Sequence, residues 1–376
     1  MKQKRMKVCV IGSGVNGLIS AYCIANCFPH CDITIISADQ EMGKCSKHGF
    51  GSVMITRPLR IMDSVDTLKY TQQTREYCQN MNQEDAKAAG IQRLESFSLF
   101  NFHQNEETAE KGGDSVPTNE IANLFKSGEN VRQATNVEMR EAGFVADNKK
   151  LVEVMGEKSI TKDTLEGYIG YHYIVDTNLY LPWLRHQLTE MAHSTSKEKR
   201  VTFVDRKITS WNDIGLCDLI INCSGLGARE LCDDPFVIPI RGQYLSVSCP
   251  LKRCYRANHF IIVPRTYDTV IGGSYQIGRW DQQIDPKDTE KILRDAAAVY
   301  PEVTSSDIKL VDVGVRPGRI GGPRIEIEYV DVKNVKSKVP VIHNYGHGAR
   351  GFTLFWGCAE RVAELASGLF LPHEKL

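Results

Sequence analysis

Residues Val8 to Leu18 read VCVIGSGVNGL: an apolar strand, a G-x-G-x-x-G turn and the start of a helix. Each glycine of that turn has a physical task. Gly12 permits the tight reversal, Gly14 lets main chain approach a pyrophosphate, and Gly17 lets helix and strand pack closely. Phosphates then sit at the helix N-terminus, against the backbone of Val15 and Asn16, where free N–H groups and the helix dipole favour negative charge. A second strand, Asp32 to Ile36, leads to Asp39 and Gln40, where a carboxylate can accept a hydrogen bond from a ribose hydroxyl. The segment predicts a Rossmann-like parallel sheet and a bound dinucleotide. By itself it does not separate FAD from NAD, and a merely structural tight turn is the alternative.

The chain has 376 residues, a formal net charge of +0 and 42% hydrophobic residues, enough for one large core or two smaller ones sharing a cleft. The charge balance gives no reason to expect a nucleic-acid partner, and no apolar run approaches the roughly 20 residues of a membrane span. The basic start, Met1 to Lys7, meets a strand and a glycine turn rather than a cleavage site, so it is not read as a signal peptide. Cysteines sit singly in apolar elements (Cys9, Cys23, Cys217, Cys223, Cys358), without Cys-x-x-Cys or zinc spacing, as in a reduced intracellular protein that holds no metal. A polar stretch with Gly112-Gly113 and Pro117, His103 to Glu120, reads as an exposed loop, and His193 to Arg200 as a helix-to-strand connection.

β-branched and apolar runs predict strands at Lys7–Ile11, Ile33–Ile36, Val201–Phe203, Leu219–Asn222, Gln243–Val247, Phe260–Val263, Thr269–Gly272 and Val339–His343. Helices are expected at Leu18–Asn26, Tyr180–Ala192, Pro286–Tyr300 and Thr353–Leu369. Leu219 to Arg229, LIINCSGLGAR, is a buried strand entering a small-residue turn. It reads either as a second approach of backbone to the cofactor, through Cys223, Ser224 and Gly225, or as an ordinary turn. Lys207 to Thr209, centred on Ile208, is a candidate for main-chain contact with an adenine. Near the C-terminus, a loop with Gly346, Gly348 and Gly351 joins a strand to a long helix and can lie flat against a planar ring. The helix end that follows, with Phe352 and Thr353, directs positive charge at whatever lies there.

Residues Val341 to Ala359, VIHNYGHGARGFTLFWGCA, resemble the signature of the D-amino-acid oxidase family, which includes D-aspartate oxidases. VIGSGVNGL, INCSGLGA, Pro239-Ile240-Arg241-Gly242-Gln243 and Gly314-Val315-Arg316-Pro317 follow in that family's order, so the resemblance covers nearly the whole chain. It implies an α/β, glutathione-reductase-type fold with non-covalent FAD. The expected organisation is a discontinuous Rossmann-like FAD domain (1–60, 195–235 and 310–376) and a second, mixed-sheet substrate domain (61–194 and 236–309). Gly348, Ala349, Gly351, Phe352 and Thr353 then contact the flavin. The resemblance assigns Arg316 to the substrate α-carboxylate, a role that suits a bidentate guanidinium. The partners implied are a small D-amino acid and dioxygen, in a monomer or homodimer.

Two regions depart from the family pattern. The flavin-covering loop reads Cys45-Ser46-Lys47-His48-Gly49-Phe50-Gly51-Ser52-Val53 in place of a threonine- and alanine-rich stretch. Its Cys45 and Ser46 are cofactor candidates. Arg57 after it either faces an acidic substrate side chain or is solvated. The lid between Gln243 and Val263 is short and holds one tyrosine, Tyr255. Related D-aspartate oxidases carry a cation where this chain has Tyr275. A charged substrate would then use Arg57, Arg350, Arg265 or His259. The short lid and the surplus arginines favour acidic D-amino acids; Tyr275 favours neutral ones such as D-alanine or D-serine. A glycine- or sarcosine-type amine oxidase and a non-catalytic flavoprotein are the remaining readings. Glu374-Lys375-Leu376 shares its last two residues with a peroxisomal address, which leaves peroxisome or cytoplasm open.

Overall fold

The computed structural model describes residues 5–38, 44–53, 66–101, 131–142, 165–193, 200–249, 251–257, 260–301, 303 and 307–370. Asp39, Gln40, Arg57, His259, the polar stretch His103 to Glu120 and the C-terminal tripeptide lie outside them, as do residues 194–199 of the second polar connection.

The described strands form two sheets. The first has six strands in the order Ile327–Val330, Val339–His343, Leu219–Asn222, Met6–Ile11, Cys31–Ser37, Arg200–Asp205. All neighbours are parallel except the antiparallel edge strand Ile327–Val330. Strand alternation splits the first strand between two cores. Val8 and Val10 pack under helices Val15–Cys27, Thr177–His193 and Gly351–Phe370, beside Leu18, Ile24, Leu184, Phe355 and Val362. Cys9 and Ile11 face the opposite layer with Ile36, Ile220 and Val341. The expected parallel sheet is therefore present, with both faces covered, as parallel strands require.

The second sheet has ten strands. Its main path runs Gln276–Ile277, Val237–Val247, Thr269–Gly272, Phe260–Pro264, Arg253–Ala257, Ile91–Asn101, Leu165–Val175, Ser52–Val53. Ile308–Arg319 pairs along the whole of Val237–Val247, and Arg132–Gln133 pairs with Leu165–Val175. Only Arg253–Ala257 with Ile91–Asn101 is parallel, so the sheet is mixed, as expected. Helix Pro286–Val299 covers it, with Ile292, Ala296 and Val299 packed on Leu245, Val247 and Ile262. The helix starts where its residues dictate: Asp285 accepts a hydrogen bond from the Lys287 amide, and Pro286 takes the first helical position.

Three long strands were not foreseen: Ile91–Asn101, Leu165–Val175 and Ile308–Arg319. The last carries Pro317 in register with Pro239. It lies near the strand's end, where among the described residues the other edge carries only the isolated bridge Gly318–His347. The sequence boundary at 310 falls inside this strand. Among the described residues, no helix is long and apolar enough to cross a membrane.

Candidate active site

A cavity of about 770 Å³ lies between the two sheets, within the range of cofactor and ligand sites. One wall is made by the turns that follow parallel strands. Gly12 takes a φ of 103°, and a Cβ there would stand 2.4 Å from the Cys223 carbonyl oxygen. The first glycine turn thus presses directly on the INCSG turn of the neighbouring strand. Gly17 presses likewise on Gly12, 2.0 Å from its carbonyl to a would-be Cβ. Helix Val15–Cys27 begins at Gly14 with no side-chain cap and no acidic residue in its first turn. The Val15 amide donates to Ser46 Oγ at 3.0 Å, which brings the Cys45–Ser52 loop over the helix end.

Gly12, Gly14, Val15, Asn16, Gly17, Cys45, Ser46, Cys223, Ser224, Gly225, Gly348, Ala349, Arg350, Gly351, Phe352 and Thr353 all line this cavity. Five lining residues carry buried polar atoms with no hydrogen-bond partner among the described residues: Asn16 Oδ1, Ser52 Oγ, Ser224 Oγ, Asn344 Oδ1 and His347 Nε2. Burying such atoms unpaired costs about 1–3 kcal/mol each, so the wall is incomplete without a polar ligand. Gly225, at a φ of 60°, has nothing nearer its would-be Cβ than Pro317 at 3.7 Å. A helix N-terminus without acidic residues, orphaned polar atoms and glycine surfaces together fit an elongated, phosphate-bearing cofactor. His347 donates nothing to Asn16: its Nδ1 accepts from Asn16 Nδ2 at 3.2 Å, and burial draws the imidazole down to about 4.

The opposite wall is made of side chains from the ten-stranded sheet. Arg316 lies on Ile308–Arg319 with its guanidinium laid over Gly242 of the paired strand. A Cβ on Gly242 would stand 2.0 Å from Arg316 Nη1, so only glycine leaves that seat open. Arg316 Nη1 stands 3.5 Å from the Ser274 carbonyl, and its Cζ lies 5.8 Å from the centre of the Tyr275 ring. Among the described residues Arg316 has no carboxylate partner, and burial lowers its pKa. A cation placed so is a receptor for a small anion. Beneath it, Arg241 points to the other side of the strand, fully buried. It reaches Gln276 Oε1 at 2.7 Å and Asp288 Oδ2 at 2.8 Å, tying down the segment from which Gln282 reaches the cavity.

Two sequence expectations are corrected here. Tyr255 does not face the cavity. It is 8% exposed in the core under helix Pro286–Val299, its ring centre 6.1 Å from that of Tyr300. Its strand neighbour Arg256 lines the cavity instead. Successive side chains point to opposite faces, so a choice one position out reverses the side. The Ile208 side chain packs against the far layer of the six-stranded sheet, which leaves the main-chain contact expected of Lys207 to Thr209 as an expectation. Arg265 is committed to Asp268 and is 5% exposed. Sequence reasoning passed over Arg256, Gln282 and His48, although the Cys254-Tyr255-Arg256 alternation held a signal for the first.

Comparison with known proteins gives the family. The chain is 41% identical over 168 residues to the D-amino-acid oxidase of Rubrobacter xylanophilus, covering 43% of this chain and 50% of that protein. It is 41% identical over 155 residues to the D-amino acid oxidase of Dugesia ryukyuensis, covering 41% and 46%. In these two alignments the chain spans about half the length of its relatives. With the D-aspartate oxidase of Homo sapiens it shares 28% over 377 residues, 96% of this chain and 94% of that protein. The glycine oxidase structure from Geobacillus kaustophilus superposes with a TM-score of 0.71 at 17% identity, covering 97% of this chain and 95% of that one, which shows a common fold. The family model for the FAD dependent oxidoreductases, DAO, matches residues 7–365, so the chain belongs to that family and FAD is its cofactor.

Proposed function

We propose that the protein oxidises D-amino acids to 2-oxo acids and ammonia with release of hydrogen peroxide, and that acidic D-amino acids are preferred. The observation that carries the reading is Arg316 on its Gly242 seat: a half-buried guanidinium with no carboxylate among the described residues, across the cavity from the cofactor wall. Its planar fork takes the substrate α-carboxylate by two parallel hydrogen bonds, which fixes the direction of the α C–H. Tyr275 stacks beside it and limits the freedom of the pair. Phe50, Phe260 and Ile261 supply apolar cover that excludes water. FAD, when bound, supplies the hydride acceptor and the route to dioxygen. Gly12, Gly14, Val15, Asn16, Gly17, Cys45, Ser46, Cys223, Ser224 and Gly225, with Gly348, Ala349, Gly351, Phe352 and Thr353, are the residues that would hold it. The N-terminus of helix Gly351–Phe370, with no acidic residue in its first turn, favours negative charge at that end of the cavity.

The acidic preference is supported by Arg256 and Arg350, two further cations in the cavity wall. Burial draws Arg350 down to about 10, which makes a nearby anion more favourable. The Tyr275 ring beside Arg316 supports the second reading, a preference for neutral side chains. We further propose that the domain partition follows the two sheets, with Ile308–Arg319 on the substrate side, and that the protein resides in the peroxisome or the cytoplasm.

The test is peroxide release by FAD-loaded protein on D-aspartate, D-glutamate, D-alanine and D-serine, each beside its L-enantiomer. Turnover of D-forms with the acidic pair leading is expected. Equal rates on both enantiomers would refute the D-amino-acid assignment, and D-alanine ahead of D-aspartate would refute the acidic preference alone.

A further inference from the structure

The Cys45–Ser52 loop is held from behind by a side chain that does not reach the cavity. Thr177 opens helix Thr177–His193, is 1% exposed and is not among the residues that line the cavity. Its Oγ1 stands 3.1 Å from the Lys47 carbonyl oxygen and 3.4 Å from that of Gly49. It also stands 3.3 Å from Arg265 Nη1. A hydroxyl has one proton and two lone pairs. Carbonyls only accept and a guanidinium only donates, so the proton goes to the loop and a lone pair takes the Arg265 N–H. The contacts form a directed chain from Arg265 through Thr177 to the loop, in which each bond polarises the next.

The start of that chain is fixed to the ten-stranded sheet. The Arg265 side chain is 5% exposed, and its Nε donates to Asp268 Oδ1 at 2.7 Å. Both residues lie in the turn joining strands Phe260–Pro264 and Thr269–Gly272. The same turn is tied to the helix end a second time. The Thr266 amide donates to Asp176 Oδ2 at 3.1 Å, and Asp176 Oδ1 accepts from the Asn178 amide at 3.1 Å. The far end of the chain is the loop over the cofactor wall. Ser46 Oγ accepts from the Val15 amide, and Thr353 Oγ1 donates to the Ser52 carbonyl at 3.1 Å. A Cβ on Gly49 would stand 3.0 Å from the Phe352 ring. The loop thus bridges the N-termini of helices Val15–Cys27 and Gly351–Phe370, and Thr177 grips its middle.

We propose that Thr177, held by Arg265, is a positioning residue that latches this loop over the FAD site and so sets how fast FAD leaves. FAD seated between the two helix ends leaves when the middle of the loop lifts. Lifting it breaks the Thr177 bonds, and the Lys47 and Gly49 carbonyls and the Arg265 N–H must find other partners. The inference needs the FAD site alone and holds whichever substrate is oxidised.

The test follows FAD release from the diluted holoenzyme by the rise in flavin fluorescence, together with tryptic cleavage after Lys47. Thr177→Val keeps the shape and removes the hydroxyl. It is expected to release FAD about 10-fold faster, in the range of one hydrogen bond, and to be cut sooner after Lys47. Thr177→Ser restores the hydroxyl and is expected to stay within about 2-fold of wild type. Thr189→Val is the control on the same helix: Thr189 Oγ1 donates to the Arg185 carbonyl of its own helix at 3.0 Å, and its loss is expected to leave FAD release unchanged. Arg265→Gln combined with Asp268→Asn removes the anchor as a neutral pair and is expected to speed release by about 3-fold. Wild-type release from Thr177→Val, release from Thr177→Ser as fast as from Thr177→Val, or equal acceleration in Thr189→Val would overturn the proposal. Where Thr177→Val does not fold, the paired Arg265 and Asp268 variant decides: faster release supports the latch, and wild-type release overturns it.

Discussion

On the six-stranded side the cavity wall is main chain. Gly12, Gly14, Gly17 and Gly225 present backbone, and helix Val15–Cys27 presents its N-terminus. On the ten-stranded side the wall is side chain: Arg316, Tyr275 and Arg256, with His48 reaching over from the Cys45–Ser52 loop, on a sheet whose own glycines, Gly242 and Gly314, serve as seats. Main chain is chemically the same in every protein, so the first wall can hold a cofactor and say little about the substrate. Specificity is left to the second. Substitutions in the first wall should therefore cost cofactor, and those in the second should cost turnover with the cofactor in place.

The largest effect expected is on the side-chain wall. Arg316→Leu should lower kcat/KM by at least about 1,000-fold, in line with about 4 kcal/mol for losing a buried charge partner. Visible flavin absorbance should be unchanged; flavin lost along with turnover would break the division between the walls. Next comes Gly12→Ala, where a φ of 103° and a contact of 2.4 Å admit no Cβ. A cost of about 3 kcal/mol or more is expected, seen as a lower melting temperature and as FAD lost on gel filtration. Normal FAD retention would show that the turn is not the binding element.

The third prediction concerns pH. Burial holds His347 at about 4 in the folded chain, against about 6.5 when unfolded. A depressed histidine keeps its contribution to stability above pH 6.5. That contribution is lost as pH falls towards 4, because the unfolded state takes up the proton first. Cofactor-free protein should lose about 3 kcal/mol across this window through His347, and His347→Gln should flatten the limb in urea unfolding series. His172, held at about 3 by burial and then by Arg75 and Arg256, adds a second such limb. The smallest effect expected is selective. Arg256→Met should lower kcat/KM for D-aspartate by about 10- to 100-fold, the range of a charged hydrogen bond, and leave D-alanine unchanged. Equal losses on both would make Arg256 a structural residue.

The contrast between the walls also accounts for what was legible in the sequence. Glycine turns announce themselves because a turn of that shape tolerates nothing else. The strands at Met6–Ile11 and Leu219–Asn222 and the loop after Val339–His343 were therefore readable, whereas the role of Arg316 came only from the family resemblance. Arg256 and His48 were not. Which face a strand residue takes depends on register, and that register is set by partners far along the chain: Arg253–Ala257 pairs with Ile91–Asn101. Helix Thr67–Asn80 escaped notice because four of its residues are buried, and two of those, Thr71 and Thr74, are polar. Their hydroxyls bond back to the carbonyls of Thr67 and Tyr70, a device invisible to a count of apolar positions.

The order of strands in the six-stranded sheet has a consequence for how the molecule comes into being. Leu219–Asn222 lies between Met6–Ile11 and Val339–His343. During synthesis its first neighbour is available early and its second only near the end. At about 5–20 residues per second the interval from Leu219–Asn222 to Val339–His343 is on the order of ten seconds. Throughout it, one edge of a wholly buried apolar strand stands unpaired, which is the condition that invites aggregation. The C-terminal glycine loop and helix arrive in that same last stretch, so FAD cannot rescue the nascent chain. A cell making this protein must shield that edge until the sheet closes, and the yield of active protein should depend more on chaperone supply during translation than on flavin supply.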